Sequence, residues 1–166
     1  DKNKILDVDS ISLSSLNLSS RTLQTNAQFR KMEWGSSEKD AIAKYGKPDV
    51  DGEGWIVYNY TLASKSVTAG FFYKKDKLYR GAYLLMESHT NKNMYITDYD
   101  SFKNLLSKKY GLPKKDITYW ANDLYKEDYS DWGMAISVGH LFKVSNWSTG
   151  KTDIECSLSG DNYKIT

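Results

Sequence analysis

Apolar residues recur at helical spacing in two stretches of the chain. In residues 98–110 they fall three, four and eight positions after the first, which places them on one face of a helix. They are Phe102, Leu105, Leu106 and Tyr110. In residues 37–45 the apolar pattern is shorter, but Ser37 and Asp40 have the spacing of a capping box. The chain therefore predicts two amphipathic helices in these ranges.

Both predicted helices end in the same way. The sequences KYGKP (44–48) and KYGLP (109–113) contain the only two prolines of the chain. A glycine just after a helix adopts a left-handed conformation, and a proline two residues later prevents the helix from continuing. The identical residues that are 65 positions apart include five pairs: Tyr45 and Tyr110, Gly46 and Gly111, Pro48 and Pro113, Trp55 and Trp120, Tyr60 and Tyr125. This spacing predicts an internal duplication.

Stretches rich in β-branched and aromatic residues follow each stop signal, which is the composition of strands. They are residues 54–62, 66–74 and 77–86 in the first half, and residues 116–125, 132–140, 141–147 and 152–158 in the second. Each half is thus predicted to be a helix followed by an antiparallel meander. We expect an α+β fold of two tandem helix–meander repeats, forming a sheet with helices on one face.

The sequence predicts that the chain is divided into three segments. Residues 1–28 are rich in Ser, Asn and Thr, which is typical of a polar tether, although the alternation of Ile11 and Leu13 would also fit a short edge strand. Residues 29–97 form repeat 1 with an inter-repeat loop. Residues 98–166 form repeat 2.

Aromatic residues are unusually frequent, at 14% of the chain. Only one face of the sheet has to pack against the helices, so the other face would present Tyr and Trp to solvent. Either the tyrosines pack flat on one another and simply cover the sheet, or they form a concave surface that binds a protein or a glycan. The candidate surface residues are Trp55, Tyr58, Tyr60, Tyr73, His89 and Trp120.

Few residues are candidates for catalysis or metal binding. The single cysteine, Cys156, excludes an intramolecular disulfide and lies on the apolar face of a predicted strand, which favours a buried, inert thiol. His89 and His140 lack the close spacing of metal ligands. The acidic run at 49–54 favours a solvated turn over a calcium loop. We therefore expect a protein that is not an enzyme and that has no catalytic residue, metal or cofactor.

Charge and hydropathy narrow the class of partner. The net charge is +2 with acidic and basic residues interspersed, so no basic stripe predicts a nucleic-acid partner. No apolar stretch approaches the ~20 residues needed to span a bilayer. Because the sequence starts at Asp1 without a methionine, we expect that a leader or a tag has been removed.

The helix, Gly-x-Pro stop and meander resemble the β-lactamase-inhibitor-protein fold and the related SmpA/OmlA outer-membrane lipoprotein unit. The resemblance covers about residues 29–165. In the first half it is carried by Trp34, Gly35, Ser36, Ser37, Glu38, Ala41, Tyr45, Gly46, Lys47 and Pro48, and in the second by Tyr110, Gly111, Leu112 and Pro113. The second copy lacks the leading glycine of the pattern.

The resemblance implies a non-catalytic binding scaffold that is exported and lipid-anchored in a bacterial cell envelope. Its expected partner is an envelope protein or a cell-wall glycan, and it would meet the membrane only through the lipid. One cysteine forbids the disulfide that the inhibitor proteins carry in each repeat. Inhibition of a secreted hydrolase, such as a β-lactamase or wall peptidase, through residues 87–97 is the alternative. A metal-dependent enzyme that uses His89, His140 and nearby acidic residues is a third hypothesis.

Overall fold

The computed structural model describes residues 28–166, so the predicted tether lies outside the described residues except for Gln28. The described residues divide between Met86 and Glu87 into two compact units, called unit 1 and unit 2. Helices and antiparallel sheets make up both units, so the predicted α+β class is confirmed. The predicted boundary between residues 97 and 98 falls inside a helix of unit 2.

Unit 1 is one helix and an antiparallel meander. Its elements are β1 (Gln28–Phe29), β2 (Met32–Glu33), α1 (Glu38–Tyr45), β3 (Val50–Gly52), β4 (Trp55–Leu62), β5 (Lys65–Lys74) and β6 (Lys77–Leu85). The four-stranded sheet has the order β3-β4-β5-β6, so each strand pairs with its neighbour in sequence. The capping box at the start of α1 is formed as predicted, because Ser37 Oγ accepts from the Asp40 amide and Asp40 accepts from the Ser37 amide.

Unit 2 begins with the longer helix. Its elements are α2 (Asn93–Tyr110), β7 (Lys115–Trp120), a single 3-10 turn (Tyr129–Asp131), α3 (Trp132–Ser137), β8 (Leu141–Ser148), β9 (Asp153–Leu158), β10 (Gly160–Asp161) and β11 (Lys164–Ile165). The three-stranded sheet has the order β7-β8-β9 and is antiparallel throughout. Strands β10 and β11 form a separate short hairpin.

Two sequence predictions in unit 2 were wrong. Residues 132–140 were predicted as a strand, but Trp132–Ser137 form helix α3. The reason is a tertiary contact: Gly133 donates its amide to Asn93 Oδ1 at 2.6 Å, and a β-carbon there would come within 2.4 Å of the Lys92 backbone. Helix α2 also starts at Asn93, before the predicted start at residue 98.

Four two-residue hairpin turns share one backbone conformation. Both central residues have positive φ at Arg30-Lys31, Ala63-Ser64, Lys75-Asp76 and Asn162-Tyr163. Positive φ at both positions defines the type I′ turn, which matches the twist of the flanking strands and usually contains Asn-Gly. The chain thus uses this turn with residues that are poorly suited to it, most clearly at Ala63-Ser64.

The core of unit 1 lies between α1 and one face of the sheet. Ala41 of α1 packs against Ile56, Tyr58 and Phe71, all of them buried. Phe29 fills the space above Gly81, where a β-carbon would come within 2.2 Å of the ring. The aromatic rings meet edge to face, with Tyr58 and Phe71 at 5.8 Å and 88°. Aromatic side chains therefore build the contact between helix and sheet.

The two Gly-x-Pro stops have nearly identical geometry. Gly46 has φ 84° and ψ −166°, and Gly111 has φ 84° and ψ −168°. Each glycine carbonyl accepts a hydrogen bond from an aromatic side chain of the following sheet. The donors are Tyr58 Oη, at 2.9 Å from the Gly46 oxygen, and Trp147 Nε1, at 2.9 Å from the Gly111 oxygen. Each helix end is thereby fixed to its own sheet.

Candidate binding surface

Two of the predicted surface tyrosines belong to the core. Tyr58 is 8% exposed and Tyr73 is 7% exposed, and both lie on the sheet face that α1 covers. Helix α1 buries only Ala41, so large rings on the strands are needed to fill the space beneath it. Burial raises the pKa of both tyrosines. Tyr58 and Tyr73 therefore pack in the core of unit 1 and do not form an exposed binding surface.

Tyr60 lies on the same side of β4 but further along the strand, where it is half-buried. The Arg30 guanidinium carbon is 3.7 Å from the centre of its ring, and Tyr83 stacks on it at 6.4 Å. Tyr60 also borders a depression lined by Asn59, Tyr60, Thr61, Ser66, Val67 and Met86. Its ring is engaged by a cation and another ring of the same unit, so it has a structural role.

Trp55 is the predicted surface residue that lies on the opposite face of the unit 1 sheet. We call this surface the open face; it consists of the positions on β3–β6 that alternate with the buried ones. Trp55 is opposite both Gly52 of β3 and Phe72 of β5, and Phe72 is opposite Arg80 of β6. Gly52 lets the indole lie across β3, because a β-carbon there would be 2.4 Å from Trp55 Cε2.

Aliphatic side chains extend the open face on one side of this row, from β3 across to β6. Val50 of β3 is 53% exposed and Leu84 of β6 is 48% exposed. Val57 and Ala82 lie between them, on β4 and β6, and are half-buried. The Arg80 guanidinium carbon is 5.3 Å from the centre of the Phe72 ring. The open face therefore combines two aromatic rings, a cation and exposed aliphatic residues, a composition that is enriched at protein interfaces.

Trp120 and His89 belong to unit 2. Trp120 ends β7 and meets Trp132 of α3 edge to face at 5.4 Å, and Tyr129 is 5.1 Å from Trp132. Trp132 Nε1 donates to the Lys126 carbonyl at 3.1 Å. These contacts fix the segment between β7 and α3, so the side chain of Trp120 is half-buried in a cluster of its own unit.

His89 forms a side-chain hydrogen bond with a buried carboxylate. Its Nε2 is 2.6 Å from Oδ2 of Asp98, which is 2% exposed, and its ring meets Tyr95 edge to face at 4.7 Å. Asp98 and Tyr95 both lie on α2, one near its start and one a turn later. His89 therefore attaches the segment before α2 to the helix, which is a structural role.

A chain of polar side chains in unit 2 was missed from the sequence. The Tyr99 hydroxyl is 2.6 Å from Ser145 Oγ, which donates to Asp116 Oδ1 at 2.8 Å, and Lys103 Nζ donates to Asp116 Oδ2 at 2.9 Å. Because Ser145 uses its proton on the carboxylate, the Tyr99 hydroxyl is the donor to Ser145. Ser145 is fully buried, so no substrate reaches it and the chain ties α2 to β7 and β8.

The other predicted reactive groups are placed as follows. Cys156 is 9% exposed, and burial raises the pKa of its thiol to about 12, which is unsuited to a nucleophile. Within residues 28–166 no group of three or more His, Cys, Asp or Glu could hold a metal ion. Residues 93–97 of the predicted insertion loop belong to α2, which leaves residues 87–92 as loop.

Unit 2 has its own exposed aromatic pair. Tyr119 of β7 is 59% exposed and lies directly opposite Phe142 of β8, which is 36% exposed. Ile117, on the same face of β7, is 43% exposed. In contrast to the open face of unit 1, no cation contacts these rings in the part of the chain that the structure describes.

Comparisons with known proteins do not identify a family for this chain. No protein-family model, curated protein or solved structure matches this chain. None of the helices in the described range is long and apolar enough to cross a membrane.

Proposed function

We propose that this chain is a non-catalytic binding domain of a bacterial cell envelope and that it binds its partner through the open face of unit 1. The observation that carries the proposal is the row formed by Trp55, Phe72 and Arg80. It lies on the side of the sheet opposite the core that packs against α1. Trp and Arg are the residues that most often dominate binding energy at interfaces.

Export and an N-terminal lipid anchor form the second part of the proposal. They are supported by the resemblance to exported lipoprotein units and by the polar composition of residues 1–28. Labelling of the full-length precursor with a radioactive fatty acid tests this part. Recovery of the protein from the cytosol without lipid would contradict it.

We also infer that the two units arose by duplication of one helix–meander element. The matching conformations of Gly46 and Gly111, each with an aromatic donor on its carbonyl, support this inference. Two of the five spaced identities do not. Trp55 starts β4 whereas Trp120 ends β7, and Tyr60 lies in β4 whereas Tyr125 follows β7. The repeat is therefore best supported around the helix stop.

Nothing in the described residues favours the inhibitor alternative in particular. An inhibitor would insert a projecting loop into an enzyme cleft, and residues 93–97 are helical. The remaining loop, 87–92, carries His89, which is attached to Asp98. The open face is the better candidate for recognition.

Partner capture from a crosslinked envelope extract tests the binding proposal. The full chain is compared with a variant in which Trp55 and Phe72 are both changed to Ser, and with a control in which Tyr119 and Phe142 are changed to Ser. The control removes an exposed aromatic pair of similar size from unit 2. A partner that is lost only by the first variant, and that rebinds the parent when purified, supports the proposal. Equal retention by both variants contradicts it.

A further inference from the structure

Arg80 is an incompletely satisfied cation on the open face. Its Nε is buried and has no hydrogen-bond partner, and Arg80 forms no ion pair within residues 28–166. Its described contact is with the Phe72 ring, at 5.3 Å. A guanidinium has five N–H donors in a planar fork that suits a carboxylate. Because Nε is buried, the donors that an incoming carboxylate could reach are those of the two Nη atoms, for which no hydrogen bond is described within residues 28–166.

The open face carries positive charge and no carboxylate. The register places Trp55, Val57, Asn59, Thr61, Ser66, Thr68, Gly70, Phe72, Lys74, Lys77, Arg80, Ala82 and Leu84 on this side of β4–β6. None of them is Asp or Glu. Lys77 is exposed near Arg80, at the end of the sheet where the aromatic row lies. A partner that covers Phe72 and Trp55 therefore meets cations at one end and neutral residues at the other.

We propose that the partner is a protein that presents an acidic segment to the open face, with a carboxylate on Arg80 and an apolar side chain over Trp55 and Phe72. The inference rests on the proposed function, because it names the chemistry of the partner for the same surface. A carboxylate on the guanidinium forms a charge-assisted hydrogen bond, and it gains strength because Phe72 excludes water from one side of the pair.

The aliphatic residues favour a protein over a glycan. A sugar ring that stacks on an indole needs neighbouring side chains that bind its hydroxyl groups. The strand neighbours of Trp55 on this face are Gly52, Phe72 and Val57, none of which can do so from its side chain. Val50 and Leu84, each about half exposed, instead continue the apolar surface. Such a surface matches the apolar side chains of a polypeptide.

Binding of synthetic probes tests the charge preference directly. The acidic probe is a short peptide in which Glu alternates with Leu or Phe, and the matched neutral probe carries Gln in place of each Glu. Polygalacturonate serves as the acidic glycan. Affinity for the full chain is measured by isothermal titration calorimetry at low and high salt, and the Trp55 indole signal is followed by nuclear magnetic resonance.

Two variants assign the effect to Arg80. Arg80→Gln removes the guanidinium, and Lys39→Gln removes the same charge from an exposed position of α1, away from the open face. We expect the acidic peptide to shift the Trp55 signal, to bind more weakly at high salt, and to bind about ten-fold more weakly to Arg80→Gln or when its Glu residues are replaced by Gln. Lys39→Gln should bind it as the parent does. Circular dichroism and thermal unfolding verify that both variants are folded.

Each other outcome overturns the inference in a distinguishable way. Equal binding of the neutral peptide, with Trp55 perturbed, removes the acidic preference and leaves the open face as a binding surface. Tighter binding of polygalacturonate than of the acidic peptide replaces the protein partner with a glycan. Failure of the acidic peptide to perturb Trp55 overturns the inference, and partner capture with the Trp55 and Phe72 variant then decides separately whether the open face binds anything.

Discussion

The indole of Trp55 lies across Gly52 on the neighbouring strand, with Cε2 only 2.4 Å from the position that a β-carbon would occupy. Strand β3 has only three residues and is an edge of the sheet, so its glycine opens a place for a large ring beside Val57. A single absent methyl group thus determines how the most prominent residue of the open face is oriented.

Gly52→Ala should displace the Trp55 ring without unfolding the protein, because the clash is with a side chain at the sheet edge. We expect a changed indole N–H resonance for Trp55, which Trp55→Phe identifies, together with weaker binding of the captured partner. Asp51→Ala is a suitable control, since Asp51 is an exposed residue of the same strand whose side chain lies on the other face of the sheet. An unchanged Trp55 resonance in Gly52→Ala would show that the ring does not depend on this glycine.

Tyr58→Phe and Trp147→Phe should each lower the free energy of unfolding. Tyr58→Phe removes only the hydroxyl that donates to the Gly46 carbonyl, so we expect a loss of about 1 kcal/mol. Trp147→Phe removes the donor to Gly111 and also leaves a cavity, so its loss should be larger, about 2–3 kcal/mol. Urea denaturation measures both. A Tyr58→Phe variant as stable as the parent would mean that the helix end does not need this bond.

Ser64→Gly should stabilise the chain. Ser64 has φ 64° in a two-residue turn, a conformation that is strained for serine but not for glycine. The substitution should therefore raise the free energy of unfolding by about 1 kcal/mol. Asp76→Gly makes the same change in the next hairpin, where Asp76 has φ 54°, but it also removes the acceptor of the Glu38 amide at the start of α1. We therefore expect a higher melting temperature for Ser64→Gly and a smaller gain or a loss for Asp76→Gly. Equal gains in both would contradict a capping role for Asp76.

Asp116 should make unit 2 sensitive to acid. Its pKa is lowered, chiefly because Lys103 donates a hydrogen bond to the carboxylate and further because Ser145 does. A folded-state pKa below the unfolded value of about 3.9 means that the stabilisation is present above that pH and is lost as the pH falls through the folded pKa. The carboxylate is 48% exposed, so the contribution should be no more than roughly 1 kcal/mol.

The matched comparison is Asp116→Asn against Asp123→Asn, since Asp123 pairs with Lys126 at 72% exposure. Asp116→Asn should be less stable than the parent at pH 7, and the difference should shrink at pH 2–3, the range below the unfolded pKa. Asp123→Asn should differ little at either pH. A difference for Asp116→Asn that stays constant with pH would rule out the charge as its cause.

Cys156 should be inert in the native protein. Burial raises the pKa of its thiol to about 12, so very little thiolate is present at pH 8, and the side chain is 9% exposed. We expect a thiol reagent such as dithionitrobenzoate to react at pH 8 only after the protein is unfolded in guanidinium chloride. Rapid reaction of the folded chain would place the thiol at an accessible site.

Local sequence signals were sufficient to predict where the two helices end, but they did not predict which face of the sheet is covered by a helix. Gly46 and Gly111 end their helices at the predicted positions and with a positive φ, which glycine adopts without strain, although their extended ψ differs from the left-handed helical conformation. Alternation along β4 places Trp55 and Tyr58 on opposite faces of the sheet, yet it contains no information on which of the two faces a helix covers. Helix α1 buries a single small residue, Ala41, so the large rings of Tyr58 and Tyr73 are needed to fill the core beneath it.

Long-range contacts account for what the sequence did not predict. Helix α3 was taken for a strand because its packing depends on Gly133 meeting Asn93, 40 residues away. The Tyr99, Ser145 and Asp116 chain joins α2, β8 and β7, and no local pattern connects residues so far apart. On the open face, Trp55 was selected for its residue type, whereas Arg80 becomes relevant only through its position opposite Phe72.

The connections between strands also set an order of folding. In unit 1, β4, β5 and β6 are joined by two-residue turns, so each hairpin forms between neighbours in sequence at a small cost in chain entropy. In unit 2, β7 and β8 are separated by residues 121–140, which include α3. Proteins with more local contacts fold faster. We therefore expect the unit 1 hairpins to form first during refolding, and the pairing of β7 with β8 to determine the rate of the slower phase.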